Sequence, residues 1–83
     1  MPYISQENRE KYIKVLKEIE EIDCKGDLEF CIFYLMKKYM SNREQRYSTL
    51  HDCTYAAQHC ADEFRRRYLD VRENDARESN GDI

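Results

Sequence analysis

Leu28-Glu29-Phe30-Cys31-Ile32-Phe33-Tyr34-Leu35-Met36-Lys37-Lys38-Tyr39-Met40 is the stretch on which the fold turns. At 100° per residue, Leu28, Ile32, Leu35, Met36 and Tyr39 form one stripe of a helix, while Phe30, Phe33 and Tyr34 fall on the opposite side. A helix that is apolar nearly all round needs two covers, and a small three-helix domain supplies one. The second face, with its three aromatics, therefore points to a homo-oligomer with Phe30, Phe33 and Tyr34 at the interface. The competing arrangement has long flanking helices curling over both faces within one chain.

Before this helix, Ser5 has the chemistry of an N-cap, and Tyr12, Val15, Leu16, Ile19 and Ile22 recur at the spacing of an amphipathic helix. That predicts a first helix over residues 6–23. Gly26 is placed to take a positive φ at the helix end, and Asp27 to cap the next helix, over 28–40. The short turn Cys24-Lys25-Gly26-Asp27 would make the two an antiparallel hairpin. After a polar connector, Ser41 to Arg46, a third stripe of Leu50, Cys53, Ala57, Cys60, Ala61, Phe64 and Tyr68 predicts a long helix over 47–70. Residues 72–83 are polar and read as either a helical extension or a tail. The expected architecture is all-α, a single domain over 1–83 built from a helical hairpin plus a long third helix.

Composition narrows the function classes. The 83 residues are 41% hydrophobic and 37% charged, which fits a folded chain and not a disordered one. A net charge of -3 argues against coating duplex nucleic acid, whose non-specific affinity rests on excess Lys and Arg. No stretch approaches the roughly 20 apolar residues of a membrane span, and the N-terminus carries no secretory pattern, so a cytoplasmic setting is expected. The four cysteines then read as reduced thiols and small buried hydrophobes. Cys24 and Cys31, like Cys53 and Cys60, stand seven residues apart, about 10 Å along a helix, too far for two ligands of one zinc. Neither a metal nor a cofactor is expected.

Two constellations could bind something. His51, Tyr55, His59, Asp62 and Arg66 follow one another three or four residues apart along the outer side of the third helix, with Tyr47 one turn before them. Such a face suits stacking on a base, pairing with a phosphate, or a protein interface, and it also reads as a solvated surface. Arg65-Arg66-Arg67 is the only basic cluster, and its members point about 100° apart, so copies from several subunits would have to converge on an anion. The plainer reading pairs these arginines with Glu63 and Asp70. The acids Glu18, Glu20, Glu21 and Asp23 lack the second facing motif that metal-dependent helical hydrolases use, and no phosphate loop, nucleophile elbow or His-Glu-x-x-His is present. An enzyme is not expected.

Read as a whole, the chain resembles a family of short proteins of unknown function found mostly in tailed phages and in bacteria carrying prophages. The resemblance rests on Met1-Pro2-Tyr3-Ile4 with Arg9, Gly26-Asp27-Leu28 with Phe30 and Ile32, Tyr47 with Leu50, Glu63-Phe64 with Arg66-Arg67, and the ending Asn80-Gly81-Asp82-Ile83. The family commonly has a proline shortly after the arginine pair, where this chain reads Asp70-Val71-Arg72. The resemblance implies a small accessory protein, in the host cytoplasm if viral, and brings no catalytic residue with it. Two functions are expected from the residues and the resemblance together. One is an oligomeric inhibitor or adaptor of a host protein. The other is an oligomer that sequesters a phosphate-bearing nucleotide, with Arg66 or Arg67 on phosphate and Tyr47 or Tyr55 stacking; under either function Tyr47, His51, Tyr55, His59, Arg66 and Arg67 are the candidate ligand- or partner-binding residues.

Overall fold

A computed structural model describes residues 2–83, and among them the ordered elements are all helical. Helix α1 spans Gln6–Leu16, α2 Lys25–Met40, α3 Tyr47–Phe64 and α4 Asp70–Asn80. A π-helical turn, Arg65–Leu69, joins α3 to α4 without a break. The third helical rod thus runs from Tyr47 to Asn80, about 50 Å at 1.5 Å per residue, and the long axis of the molecule is 50 Å.

Local chemistry explains the boundaries. Ser5 caps α1 as expected, its hydroxyl accepting from the Asn8 amide at 3.3 Å. The helix ends at Leu16, however, and not at residue 23. Glu18, Glu20, Glu21 and Asp23 would load the negative end of the helix dipole with carboxylates, and Ile19 and Ile22 add β-branching. The second helix begins three residues early: Cys24 is its N-cap in an extended conformation (φ -147°), and Asp27 sits inside the first turn. Gly26 accordingly needs no positive φ, and among the described glycines only Gly81 takes one, at 91°, where it terminates α4. Lys25 pairs with Glu29 one turn on, which favours this earlier start. The third helix starts at Tyr47 as the sequence implies, but the segment expected to be a tail or extension stays helical to Asn80.

Packing departs further from expectation. The hairpin is formed by α2 and α3, not by α1 and α2, and among the described residues α1 packs on no other helix. The α2–α3 seam joins Met36 and Met40 to Leu50, Cys53 and Thr54, and the Cys53 thiol lies 3.6 Å from the Met36 carbonyl oxygen. Cys53, at 6% exposure, is the single buried side chain among the described residues. Cys31 is half-buried, whereas Cys24 and Cys60 are exposed, correcting the expectation that all four would be buried. Phe64 and Tyr68, expected in the core stripe of α3, are exposed as well. Intramolecular cover does not reach the aromatic face of α2, where Phe30, Phe33 and Tyr34 are 69, 65 and 54% exposed. Among the described residues no helix is long and apolar enough to cross a membrane.

The total accessible surface is 8062 Å². A compact monomer of 10.1 kDa would expose about 5,300 Å². The radius of gyration, 16.5 Å, likewise exceeds the roughly 12 Å of a compact chain of this length.

These contacts predict opposite effects at two cysteines. Cys53→Asp places a charge at the buried position of the seam and should lower unfolding stability by roughly 3 kcal/mol. Cys24→Asp gives α2 the side-chain cap it lacks and should raise stability by about 1 kcal/mol. Urea unfolding followed by circular dichroism checks both signs.

Candidate functional site

Helical spacing builds the first candidate surface. Tyr47, His51, Tyr55 and His59 lie four residues apart on α3, and their rings form a continuous ladder. The centroids are 5.5 Å apart for Tyr47–His51, 4.3 Å for His51–Tyr55 and 5.9 Å for Tyr55–His59. The interplanar angles of 33 to 47° lie between offset stacking and edge-to-face contact. All four side chains are exposed, on the side of α3 away from α2. Gln58 donates to Asp62 at 2.9 Å beside the ladder and fixes one acceptor there. The arrangement offers flat apolar faces with hydroxyl and imidazole edges, suited to stacking or to a partner's side chains.

Arg66 and Arg67 do not join this ladder. Arg66 stands seven residues, about 10 Å, beyond His59 and is held by the Glu63 carboxylate. Arg67 donates to the Tyr3 hydroxyl at 3.2 Å, and its guanidinium lies 5.3 Å from the Tyr68 ring and 6.0 Å from the Tyr3 ring. Arg65 is 3.9 Å from Asp70, which it faces across the π turn. Each arginine of the cluster therefore has a partner in its own chain, the plainer of the two readings of Arg65-Arg66-Arg67.

Tyr3, Glu63, Arg66 and Arg67 make a clasp that ties the N-terminal segment to the π turn. The segment is shaped locally: the Ile4 amide turns back to the Pro2 carbonyl, and Arg9 reaches from α1 to the Ile4 carbonyl at 2.8 Å. Arg66, donating to Glu63, holds that carboxyl below the usual glutamate range, with Tyr3 and Arg67 acting in the same direction and partial desolvation opposing them. Arg67 is pushed up first by its hydrogen bond to Tyr3. Sequence reasoning named Glu63 and the arginines but missed Tyr3, which lies 64 residues from Arg67 and shares no helical period with it.

The interface residues divide as well. Phe30 and Tyr34 stack on each other, centroids 6.2 Å apart, while Phe33 lines an open groove between α2 and α3. That groove, of about 540 Å³, is walled by Met36, Met40, Leu50 and Cys53, with Lys37 and Arg43 at its rim. Arg43 stacks on Tyr39, 3.8 Å from the ring centroid, and donates to the Tyr39 carbonyl. Among the described residues no three His, Cys, Asp or Glu side chains gather in a way that could hold a metal ion.

The family described as "Domain of unknown function (DUF6899)" matches residues 1–83, the full length given. The chain belongs to this family. No curated protein and no solved structure matches it. Within this DUF6899 chain, segments far apart in sequence meet: Tyr3 of the N-terminal stretch and Glu63, Arg66 and Arg67 of the arginine stretch form one contact. Gly81, near the other end, closes the last helix.

The clasp carries a pH prediction. Because Glu63 titrates lower in the folded chain than in the unfolded one, its contribution is complete above the ordinary glutamate value of about 4.3 and is lost as pH falls through the depressed folded value. Amide exchange of residues 3–9 should therefore quicken on acidification in the native chain, and Glu63→Gln should remove most of that pH dependence. Exchange that stays pH-independent after correction for intrinsic rates would contradict the clasp.

Proposed function

We propose that this protein is a small non-enzymatic binding protein that works as a homo-oligomer and acts on a host protein as an inhibitor or adaptor. The observation that carries the reading is the roughly 2,800 Å² of surface beyond that of a compact monomer of this mass. Much of it is apolar: Phe30, Phe33 and Tyr34 on α2, Tyr12, Val15 and Leu16 on α1, and Phe64, Tyr68 and Val71 around the π turn are all exposed. Exposed apolar area on this scale marks interaction surfaces. Stable interfaces need only about 800 Å² from each partner, so self-association and a further partner both fit on one chain. The sequence resemblance supports a phage or prophage setting, and action against host defence is part of the proposal.

A second reading, capture of a phosphate-bearing nucleotide signal at a boundary between subunits, is favoured by one observation, the exposed ladder of Tyr47, His51, Tyr55 and His59. Rings at this spacing give a base a π face to stack on. Arg66 and Arg67 weigh against it, since each would first have to leave Glu63 or Tyr3 to pair with phosphate.

Light scattering on the purified chain should give a mass at least twice 10.1 kDa. Phe30→Asp with Phe33→Asp should reduce that mass while the helical circular dichroism persists. A wild-type chain that is monomeric at micromolar concentration sinks the reading. For the second reading, a nucleotide at 100 times its dissociation constant should add about 2.7 kcal/mol of stability. Tyr55→Ala should abolish the thermal shift, and no shift with cyclic nucleotides or ADP-ribose derivatives removes the nucleotide reading alone.

A further inference from the structure

Helix α2 presents three sectors, and two of them have an evident use. Met36 and Met40 face α3, with Phe33 at the open edge of that groove, and Phe30 with Tyr34 form the aromatic pair. The remaining sector is Leu28, Ile32, Leu35 and Tyr39, all between 38 and 53% exposed, with the Arg43 guanidinium over one side of the Tyr39 ring. Their spacing of four, three and four residues keeps them within about 60° of one another on the helix. That is the spacing of a coiled-coil seam, with Leu28 and Leu35 at one core position and Ile32 and Tyr39 at the other.

We infer that this stripe packs against the same stripe of a second copy, antiparallel, about a two-fold axis between Ile32 and Leu35. The inference rests on the self-association proposed above and names one face that carries it. Three observations select a second copy as the occupant. The stripe is self-complementary, because antiparallel pairing sets Leu28 against Tyr39 and Ile32 against Leu35 in both directions, as an isologous contact requires. The charges favour the antiparallel sense: the first two turns of α2 carry Asp27 and Glu29 against the one base Lys25, which already pairs with Glu29, and the last turn carries two bases, Lys37 and Lys38. A parallel pair would bring the two Lys37-Lys38 ends together, whereas the antiparallel pair lays each basic end over an acidic one and opposes the helix dipoles. Finally, the surplus surface of each chain exceeds what one side of a stable interface buries by more than threefold.

The geometry also leaves the rest of the molecule free to pair. The seam with α3 is about a quarter-turn around α2 from this stripe, so two copies can join through it without disturbing Cys53 or Met36. Each hairpin would contribute α2 to the centre of the assembly and keep α3 outside.

Two measurements test this. Ile32→Glu with Leu35→Glu should lower the assembly mass at least twofold by light scattering, with circular dichroism still helical. In a Cys24→Ala, Cys31→Ala, Cys60→Ala background, differently tagged chains carrying Leu28→Cys or Tyr39→Cys should cross-link to each other at least tenfold more than either does to itself. A wild-type assembly whose mass survives the Ile32 and Leu35 changes overturns this inference and leaves the self-association reading standing, whereas a monomeric wild-type chain overturns both. Dominant self-cross-linking of the Leu28→Cys chain overturns the antiparallel pairing. If the glutamate variant loses its helices, the cross-linking result decides.

Discussion

Among the described residues, the contact between Cys53 and the Met36–Met40 segment is the one place where two helices exclude water from a side chain. Everything else in the fold is arranged around how little that contact covers. A seam of five or six side chains orders the α2–α3 hairpin, but it cannot supply the burial that normally offsets the conformational entropy of ordering about 80 residues. Isolated helices shorter than about 12 to 15 residues are marginal in water, and α1 and α4 have 11 residues each. Helix α4 is supported by being continuous with α3 through the π turn, and α1 by the Tyr3 and Arg9 contacts at its start. Both are local supports and not a core.

Much of this was legible in the residues. The existence and order of the three helical stretches follow from hydrophobic periodicity, and Ser5 and Tyr47 mark two starts correctly because their signals are local. What failed was of two physical kinds. Gly26 and Asp27 are strong punctuation in isolation, yet the Lys25–Glu29 pair and the extended Cys24 let the helix begin earlier, so a turn chemistry that was available was not used. The apolar Ile19 and Ile22 continue the period of α1 but sit among four acids at the unfavourable end of the dipole, and electrostatics outweighs periodicity there. Which helices pack was beyond the pattern altogether, since α1, α2 and α3 all carry apolar stripes and nothing in a stripe names its partner.

The candidate surfaces divide along the same line. The ladder of Tyr47, His51, Tyr55 and His59 was legible because an i, i+4 relation along one helix fixes the neighbours of each ring. Arg66 and Arg67 stand apart from that ladder, paired in their own chain with Glu63 and Tyr3. Glu63 is three residues from Arg66 and could have been weighed more heavily; Tyr3 is 64 residues from Arg67 and could not have been found by spacing. The π turn adds a residue to the helical period where the arginines sit, so a wheel drawn with 3.6 residues per turn misplaces whatever follows Phe64.

The sectors of α2 and α3 together give the proposed functions a common geometry. One side of α2 is used by its own chain, and two sides remain exposed. The ladder lies on α3 opposite the seam, on the outside of any assembly built through α2. A partner or a planar ligand would then meet several equivalent ladders at fixed separations, and binding to more than one of them gains from the high effective concentration that linkage imposes. Assembly would thereby do two things for a chain too small to form a deep pocket: cover the apolar surface that α3 leaves exposed, and multiply a shallow surface into a multivalent one.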